Sequence, residues 1–548
     1  MNRLYYGDCL TVMQEMKSNS VDLIYLDPPF NSNRQYNSIY KDETGRPLPD
    51  QIDAFCDMWE IDAETERAYR TMPVLMREAG IDDATVEFWR LWMNALRQTQ
   101  PRLLAYLVYM VQRLLQMRII LLSTGSIFLH CDQTASHYIK IMMDAIFGHQ
   151  NFRNEIIWQR AAGRAKGSQH APRSLGVDTD SILHYSKTDR YLWNAVYAAL
   201  TEDEMRAKFP RSDDQGRYHT DVPIWSAPSM GARPNLCYTY QSPHGPVTNP
   251  HPSGWRVSRE RLAEMDAAGE IIWRKDKTPL RKSYAHRYMG KPIGSLWLDI
   301  PNVGGSERMG YATQKPIALL ERIILASTSE NATVLDPFAG CATTLEAAHR
   351  LGRKWIGVDI AIHAVKRVAR QRLVDRLGLV EGKDFVIDGV PRNVEGARDL
   401  WTRDPYHFQK WAVEQADGFV TARRTADGGI DGRIYFELSP AAKQLDSMVL
   451  EVKGGKSINI GMVRALRGVL EKESALLAGL IVLEDLSDRQ RGSFERFMAE
   501  AGDLEAHGVL YPRMQLLTAR ELLDGRRFKT PTVHGRREAE PILPGISP

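Results

Sequence analysis

Asp27, Pro28, Pro29 and Phe30 follow directly on an aliphatic run, Val21 to Leu26, and their types suit one kind of chemistry. The two prolines withdraw two backbone N–H donors and leave their carbonyls as acceptors. Acceptors are what an exocyclic amino group requires. The nitrogen of such a group is a poor nucleophile, because its lone pair is delocalised into the purine or pyrimidine ring. Hydrogen bonds accepted by the Asp27 carboxylate and the Pro28 carbonyl favour a pyramidal nitrogen with its lone pair released. Phe30 supplies a face on which the base stacks. A base inside a duplex cannot reach such a loop, so it must be flipped out or already single-stranded.

A second group lies far along the chain, in VLDPFAGCATTLEAA. A strand ends at Asp336, a turn containing Phe338 and Gly340 follows, and Thr343 and Thr344 open a helix. Strand-loop-helix junctions of this kind bind nucleotide-like cofactors at the carboxyl edge of an open α/β sheet. A further strand, KWIGVD, ends in Asp359, nineteen residues beyond Gly340, where an acid can accept hydrogen bonds from ribose hydroxyls. Taken alone, the same residues also suit an ordinary βαβ turn.

The elements that must position these groups are legible in the alternation of patterns. Helix TVMQEMK, strand VDLIYLD, a long helical region interrupted at Pro101, strand GSIFLHCD and a helix from Thr134 to Phe147 succeed one another. The pattern lapses from about Gly163 to Gly294 into Gly, Pro, aromatic and basic residues, then resumes at Lys315. An α/β fold with a mostly parallel sheet is expected, interrupted by an irregular insert.

DPPF, DPFAG and TQKP (Thr313 to Pro316), with the catalytic loop ahead of the cofactor loop, resemble the permuted β class of DNA amino-methyltransferases. The likeness covers roughly residues 1 to 375 and is nearest to adenine enzymes akin to Type III modification subunits. The resemblance implies a Rossmann-like, S-adenosylmethionine-dependent methyltransferase sheet with an inserted target-recognition domain. It implies that Asp27, Pro28, Pro29 and Phe30 handle the base. It further assigns Asp336, Phe338 and Gly340 to the methionine part of the cofactor, Asp359 to the ribose and Asp8 to the adenine. Thr313, Gln314 and Lys315 would close over the methionine carboxylate. The commonest cofactor loop reads DPFxGSGTT; here Cys341 and Ala342 replace Ser and Gly, and Cys341 is expected to be a packed small residue. A leading Asp, as against Ser in SPPY loops, favours adenine N6 over cytosine N4. The NPPY loop and unpermuted order of RNA-guanine and protein-glutamine enzymes are both missing.

The stretch Trp273 to Lys291 holds seven basic residues against one acid, with Trp273, Tyr284 and Tyr288 interleaved. Lys275, Arg281, Lys282 and Arg287 are candidates to neutralise phosphates of double-stranded DNA, with the aromatics as stacking faces. Arg160, Arg164, Lys166 and Arg173 form a second basic stretch. A solvated loop is the plainer alternative.

Near the carboxyl terminus, Asp431 precedes a short strand, and Glu451 and Lys453 share one face of another, two residues apart. Two carboxylates can hold Mg2+ while the lysine positions water. The pattern resembles an Mrr-type PD-(D/E)xK restriction-endonuclease domain, which makes an α/β carboxy-terminal domain the expectation. Gln409 departs from it, standing where many relatives carry a helix acid that Glu414 could replace. A charged surface hairpin, or a nuclease fold kept for binding, uses the same residues.

The expected layout is a catalytic part over 1–160, an insert over 161–299 and a cofactor part over 300–378. A linker over 379–399, a nuclease-like domain over 400–525 and a disordered tail over 526–548 complete it. The 548 residues are 43% hydrophobic and 25% charged, which excludes whole-chain disorder, collagen-like and disulfide-scaffold classes. A net charge of +3 does not by itself point to nucleic acid. Five dispersed cysteines without a CxxC pair fit a reducing cytoplasm and argue against a zinc ribbon. The most apolar run, Leu103 to Leu122, carries Arg113 and Arg118 and is expected to be an amphipathic core helix, with no membrane span. The functional expectation is a cytoplasmic, site-specific DNA adenine methyltransferase, working beside a restriction or defence subunit. The alternative is a single-chain restriction-modification enzyme, and a third reading is a cofactor-binding DNA adaptor without catalysis.

Overall fold

The computed structural model describes residues 1–29, 59, 61–160, 177–226, 228–309, 313–362, 364–421, 430–436, 438, 446–455, 458–473 and 475–531. Phe30, Arg164, Lys166, Arg173 and the tail beyond 531 lie outside the described residues. Two compact units form, one from Met1–Asn194 with Ser295–Pro548, the other from Ala195–Gly294.

The larger unit carries a sheet of nine strands among the described residues. Its centre is parallel and runs Leu121–Cys131, Val21–Leu26, Thr333–Asp336, Lys354–Asp359, Asn2–Tyr6. Two strands some 300 residues apart in sequence are thus immediate neighbours, with Leu23 opposite Val334 and Ile24 opposite Leu335. The Asp22 carboxylate pins the pair by accepting the Thr333 N–H at 2.8 Å. These strands are nearly continuous runs of buried aliphatic residues, as expected of a sheet covered on both faces. The helix Pro101–Ile120 supplies much of that cover: it is long and apolar enough to cross a membrane, yet thirteen of its residues are buried in the core.

Three boundaries differ from expectation. The compact insert begins at Ala195 rather than 161, because Thr179–Ser186 pairs antiparallel with both Leu121–Cys131 and Phe152–Gln159 and so extends the main sheet. The expected linker is structured: Phe385–Asp388 adds an edge strand parallel to Asn2–Tyr6, and Val394–Arg403 is a helix. The start of the expected tail is packed, with Phe528 buried and Lys529 N–H donating to Gln515 Oε1 at 2.8 Å.

The carboxy-terminal part forms a five-stranded mixed sheet, Phe419–Val420, Gly432–Phe436, Asp446–Lys453, Leu477–Val482, Met514–Thr518. Helices Pro405–Gln415, Ile460–Lys472 and Asp488–Ala499 accompany it. It belongs to the same compact unit as the large sheet.

The smaller unit is less irregular than its composition suggests. An antiparallel sheet, Ile271–Trp273, Pro279–Tyr284, Gly216–Pro223, Arg211–Asp213, is accompanied by a core around Trp255, with Ile224, Val247, Leu262 and Met265.

Candidate active site

Parallel strands deliver their carboxyl ends to one edge, and there the sheet order unites what the sequence separates. Asp27, Pro28 and Pro29 line one cleft with Asp8, Thr313, Gln314, Lys315, Asp336, Phe338, Gly340 and Asp359. Every described residue expected to handle base or cofactor is therefore in one place.

Asp27 is mostly buried and forms an ion pair through Oδ2 with the Lys315 ammonium. Its other oxygen, Oδ1, is buried and accepts no hydrogen bond among the described residues. Leaving a buried carboxylate oxygen without a donor is costly, about 1–3 kcal/mol or more for a charged group, so this atom is a natural acceptor for a ligand N–H. Lys315, expected at the methionine carboxylate, lines the same cleft, and its ammonium pairs with Asp27. Gln314 is committed to its own segment, its amide donating to Glu307 O at 2.7 Å and its Oε1 accepting the Met309 N–H at 2.8 Å.

Asp336 accepts from Phe338 N–H at 3.0 Å and from the Thr344 hydroxyl at 2.6 Å. Asp359 accepts from Gly340 N–H at 2.7 Å and Ala361 N–H at 2.8 Å, which locks the cofactor-type turn onto the next strand. Burial pushes Asp336 up to about 7 and Asp359 up to about 6, against the opposing pull of these hydrogen bonds. Four carboxylates thus line the cleft, and two of them, Asp8 and Asp27, are already paired with Arg113 and Lys315. Gly340 takes φ +49°, and Ala342 takes φ +62° in the left-handed region, where the commoner motif has glycine. An L-alanine there costs about 1 kcal/mol. Cys341 is buried, as expected, with its sulfur 3.3 Å from the Thr343 hydroxyl.

Several residues of the site carry no motif signal. Asp8 does not cap its helix; its Oδ1 accepts from Arg113 at 2.6 Å. Arg113 is 7% exposed and stacks on the Tyr109 ring at 3.3 Å, so it is an interior residue rather than part of a polar helix face. Tyr109 and Tyr25 both line the cleft. The Tyr25 hydroxyl lies 2.9 Å from His130 Nδ1, and His130 Nε2 lies 3.2 Å from Asp180. An arginine within the most apolar stretch of the helix, between Val111 and Leu114, was the one available hint.

In the smaller unit the basic candidates divide. Lys275 and Arg281 are exposed, while Lys282 pairs with Asp213 at 2.7 Å and Arg287 with Glu270 at 2.7 Å. Tyr284 is buried and donates to Asp213, and Trp273 stacks on Tyr240, so neither offers the free stacking face expected of it.

In the carboxy-terminal sheet, Lys453 Nζ lies 2.6 Å from Glu451 Oε1, and Asp431 Oδ2 accepts the Val452 N–H at 2.7 Å. Glu451 Oε2 is buried without a hydrogen bond among the described residues. No cluster of three or more His, Cys, Asp or Glu side chains poised for a metal ion occurs among the described residues. Glu414 turns elsewhere, accepting the Ile362 N–H at 3.1 Å.

Fold and cleft together define an α/β protein whose mostly parallel sheet carries a carboxylate-lined cleft at its strand ends. The model of the N6/N4 family described as DNA methylase matches residues 21–370, and the chain belongs to that family. It is 31% identical over 276 residues to the Type II methyltransferase M.EcaI of Enterobacter cloacae, covering 50% of this chain and 58% of that one. It is 27% identical over 371 residues to the StyLTI Mod subunit, a Type III restriction-modification enzyme of Salmonella typhimurium, covering 64% and 50%. To the DNA adenine methyltransferase YhdJ of Escherichia coli it is 46% identical over 83 residues, covering 15% and 28%. The chain spans about half the length of the first two of these relatives.

Proposed function

We propose that the chain transfers a methyl group from S-adenosylmethionine to the exocyclic amino group of a flipped base in double-stranded DNA, adenine N6 being the preferred target. The observation that carries this reading is the buried Oδ1 of Asp27, without a hydrogen bond among the described residues, in the same cleft as Asp336 and Asp359. The residues fit the cofactor: Asp359 and Asp8 would offer carboxylate acceptors to its ribose and adenine, and Asp336, Phe338 and Gly340 would hold its methionine part. The sulfonium supplies an electrophilic methyl. Asp27 accepts one amino N–H through Oδ1, and the Pro28 carbonyl accepts the other, which directs the nitrogen lone pair at that methyl. Lys315 orients Asp27 through their ion pair. As the N–C bond formed and the methyl C–S bond broke, a neutral thioether would leave, and the nitrogen, now cationic with its two original protons, would release one of them to solvent. The adenine relatives and the Asp-led loop support N6, and the Mod-type relative supports a restriction subunit as partner. Sequencing with modification detection, on DNA from cells expressing the chain, should find N6-methyladenine in one sequence context. Unmodified DNA from cells with the folded chain and ample cofactor would refute the reading.

A second activity is favoured by one observation, the convergence of Glu451, Lys453 and Asp431 with a buried Glu451 oxygen unbonded among the described residues. In that reading Asp431 and Glu451 would bind Mg2+, Lys453 would position the attacking water, and a phosphodiester P–O bond would break. Incubating unmethylated DNA with Mg2+, with and without S-adenosylmethionine, tests it against an EDTA control.

A further inference from the structure

Behind the cleft, Tyr6 and the turn that follows Asp359 pack against the carboxy-terminal part of the chain. In the helix Pro405–Gln415, His407, Trp411 and Glu414 recur at spacings of four and three, which places them on one helical face. His407 packs edge-on against the Tyr6 ring, with centroids 4.4 Å apart, directly before the cleft residues Gly7 and Asp8. Two turns along, Glu414 Oε2 accepts the Ile362 N–H at 3.1 Å. The turn from Asp359 to Ile362 is thus held from both sides. Asp359 takes the Ala361 N–H at 2.8 Å from within the cleft, and Glu414 takes the very next N–H from beneath. Ile360, between them, lines the cleft, and Gly7 N–H closes the arrangement by donating to Asp359 O at 3.0 Å.

We infer that Glu414 is a positioning residue for cofactor binding, through which the carboxy-terminal part fixes the Asp359 turn. The inference rests on the reading of the cleft as a cofactor site and adds to it a contributor lying beyond the matched family region, which ends at residue 370. Glu414 touches no ligand; it removes the freedom of a turn that would otherwise order only when ligand arrives. Its loss therefore shows as weaker cofactor binding rather than slower transfer at saturation. Because an acceptor is all that Ile362 N–H requires, glutamine replaces it adequately. The adjacent pair, Lys366 Nζ on Gln415 Oε1 at 3.0 Å, bridges the same elements without touching that turn and serves as a control.

The test is isothermal titration of the full-length chain with S-adenosylmethionine, alongside KM and kcat for cofactor and for DNA. Glu414→Ala should weaken cofactor binding roughly tenfold, as expected when a buried N–H loses its acceptor. It should raise the cofactor KM in step and leave kcat and the DNA KM near wild type. Glu414→Gln should restore binding to within about twofold, and Gln415→Ala should match wild type. Should the alanine variant fail to fold, Glu414→Asp, one methylene short of Ile362 N–H, takes its place. Unchanged cofactor affinity in the variant lacking the acceptor, or equal losses for alanine and glutamine, would overturn the inference. A wild-type chain that did not bind S-adenosylmethionine would overturn the reading of the cleft, and this inference with it.

Discussion

The cleft at the large sheet's edge and the cluster in the carboxy-terminal sheet are built from the same local parts. Each pairs a lysine with a carboxylate, Lys315 with Asp27 and Lys453 with Glu451, and each leaves one buried carboxylate oxygen unbonded among the described residues. They differ in what surrounds the pair. Around Asp27 stand Asp8, Asp336 and Asp359 in a cleft between strand ends, with turns whose N–H groups are already arranged. Around Glu451 there is Asp431, and its Oδ2 is occupied by the Val452 N–H. The same lysine–carboxylate pair therefore sits in two settings, and only the cleft around Asp27 brings several further carboxylates beside it.

The largest effect should come from Asp27→Ala, which removes the amino-group acceptor. Methyl transfer should fall about 10²–10³-fold, the scale for deleting one positioned group at a reacting centre, while titration still shows cofactor binding. Retained turnover would erase the distinction drawn for the cleft. At the other cluster, Lys453→Ala should abolish any Mg2+-dependent DNA cleavage and leave methylation at the wild-type rate. A methylation loss in this variant would mean the two clusters are not independent.

Protonation sharpens the contrast further. Asp336 and Asp359 carry values raised to about 7 and about 6, from the usual 3.8. A bound sulfonium favours their ionised forms, so cofactor affinity should fall about tenfold as pH drops from 8 to 5.5. For the cofactor-free chain the sign reverses. Raised folded values contribute stability that is fully present below 3.8 and is lost as pH rises through 6 and 7. Thermal shift at several pH values, with and without cofactor, checks both directions; affinity independent of pH would remove these acids from the site's electrostatics.

Two smaller effects concern the surroundings. Replacing the exposed Lys275 and Arg281 together by alanine should reduce the log–log salt slope of DNA binding by about 2, at about 0.9 per phosphate contact. Ala342→Gly should raise stability by about 0.5–1 kcal/mol by relieving the left-handed alanine, with cofactor binding kept. Urea melts resolve that difference, and a destabilised glycine variant would show that Ala342 packing outweighs its backbone.

How much of this was legible before the fold is clear from individual residues. Asp27, Asp336 and Asp359 each end an aliphatic strand, so type, spacing and element agreed, and all three fall in one cleft. Arg113, Tyr109 and Tyr25 were missed because their roles depend on which strand and helix lie side by side, and no local pattern encodes that. The strand Phe385–Asp388 is four residues between Gly382 and Gly389, a stretch that looks like linker, and its partner lies at the other end of the chain. The strand Thr179–Ser186 extends the main sheet across a polar, basic stretch that masked its membership. Lys282 and Tyr284 looked like DNA-binding residues because charge and aromaticity are visible in sequence, whereas their common partner Asp213, some seventy residues away, is not.

The central claim is that this cleft methylates a DNA amino group through Asp27. Its most direct measurement follows tritiated methyl from S-adenosylmethionine into unmethylated double-stranded DNA, with digestion and chromatography of the nucleosides. Label in N6-methyl-2′-deoxyadenosine for the wild-type chain, and its loss for Asp27→Ala, is the predicted result. Label in no nucleoside, or equal labelling by wild type and Asp27→Ala, would contradict it.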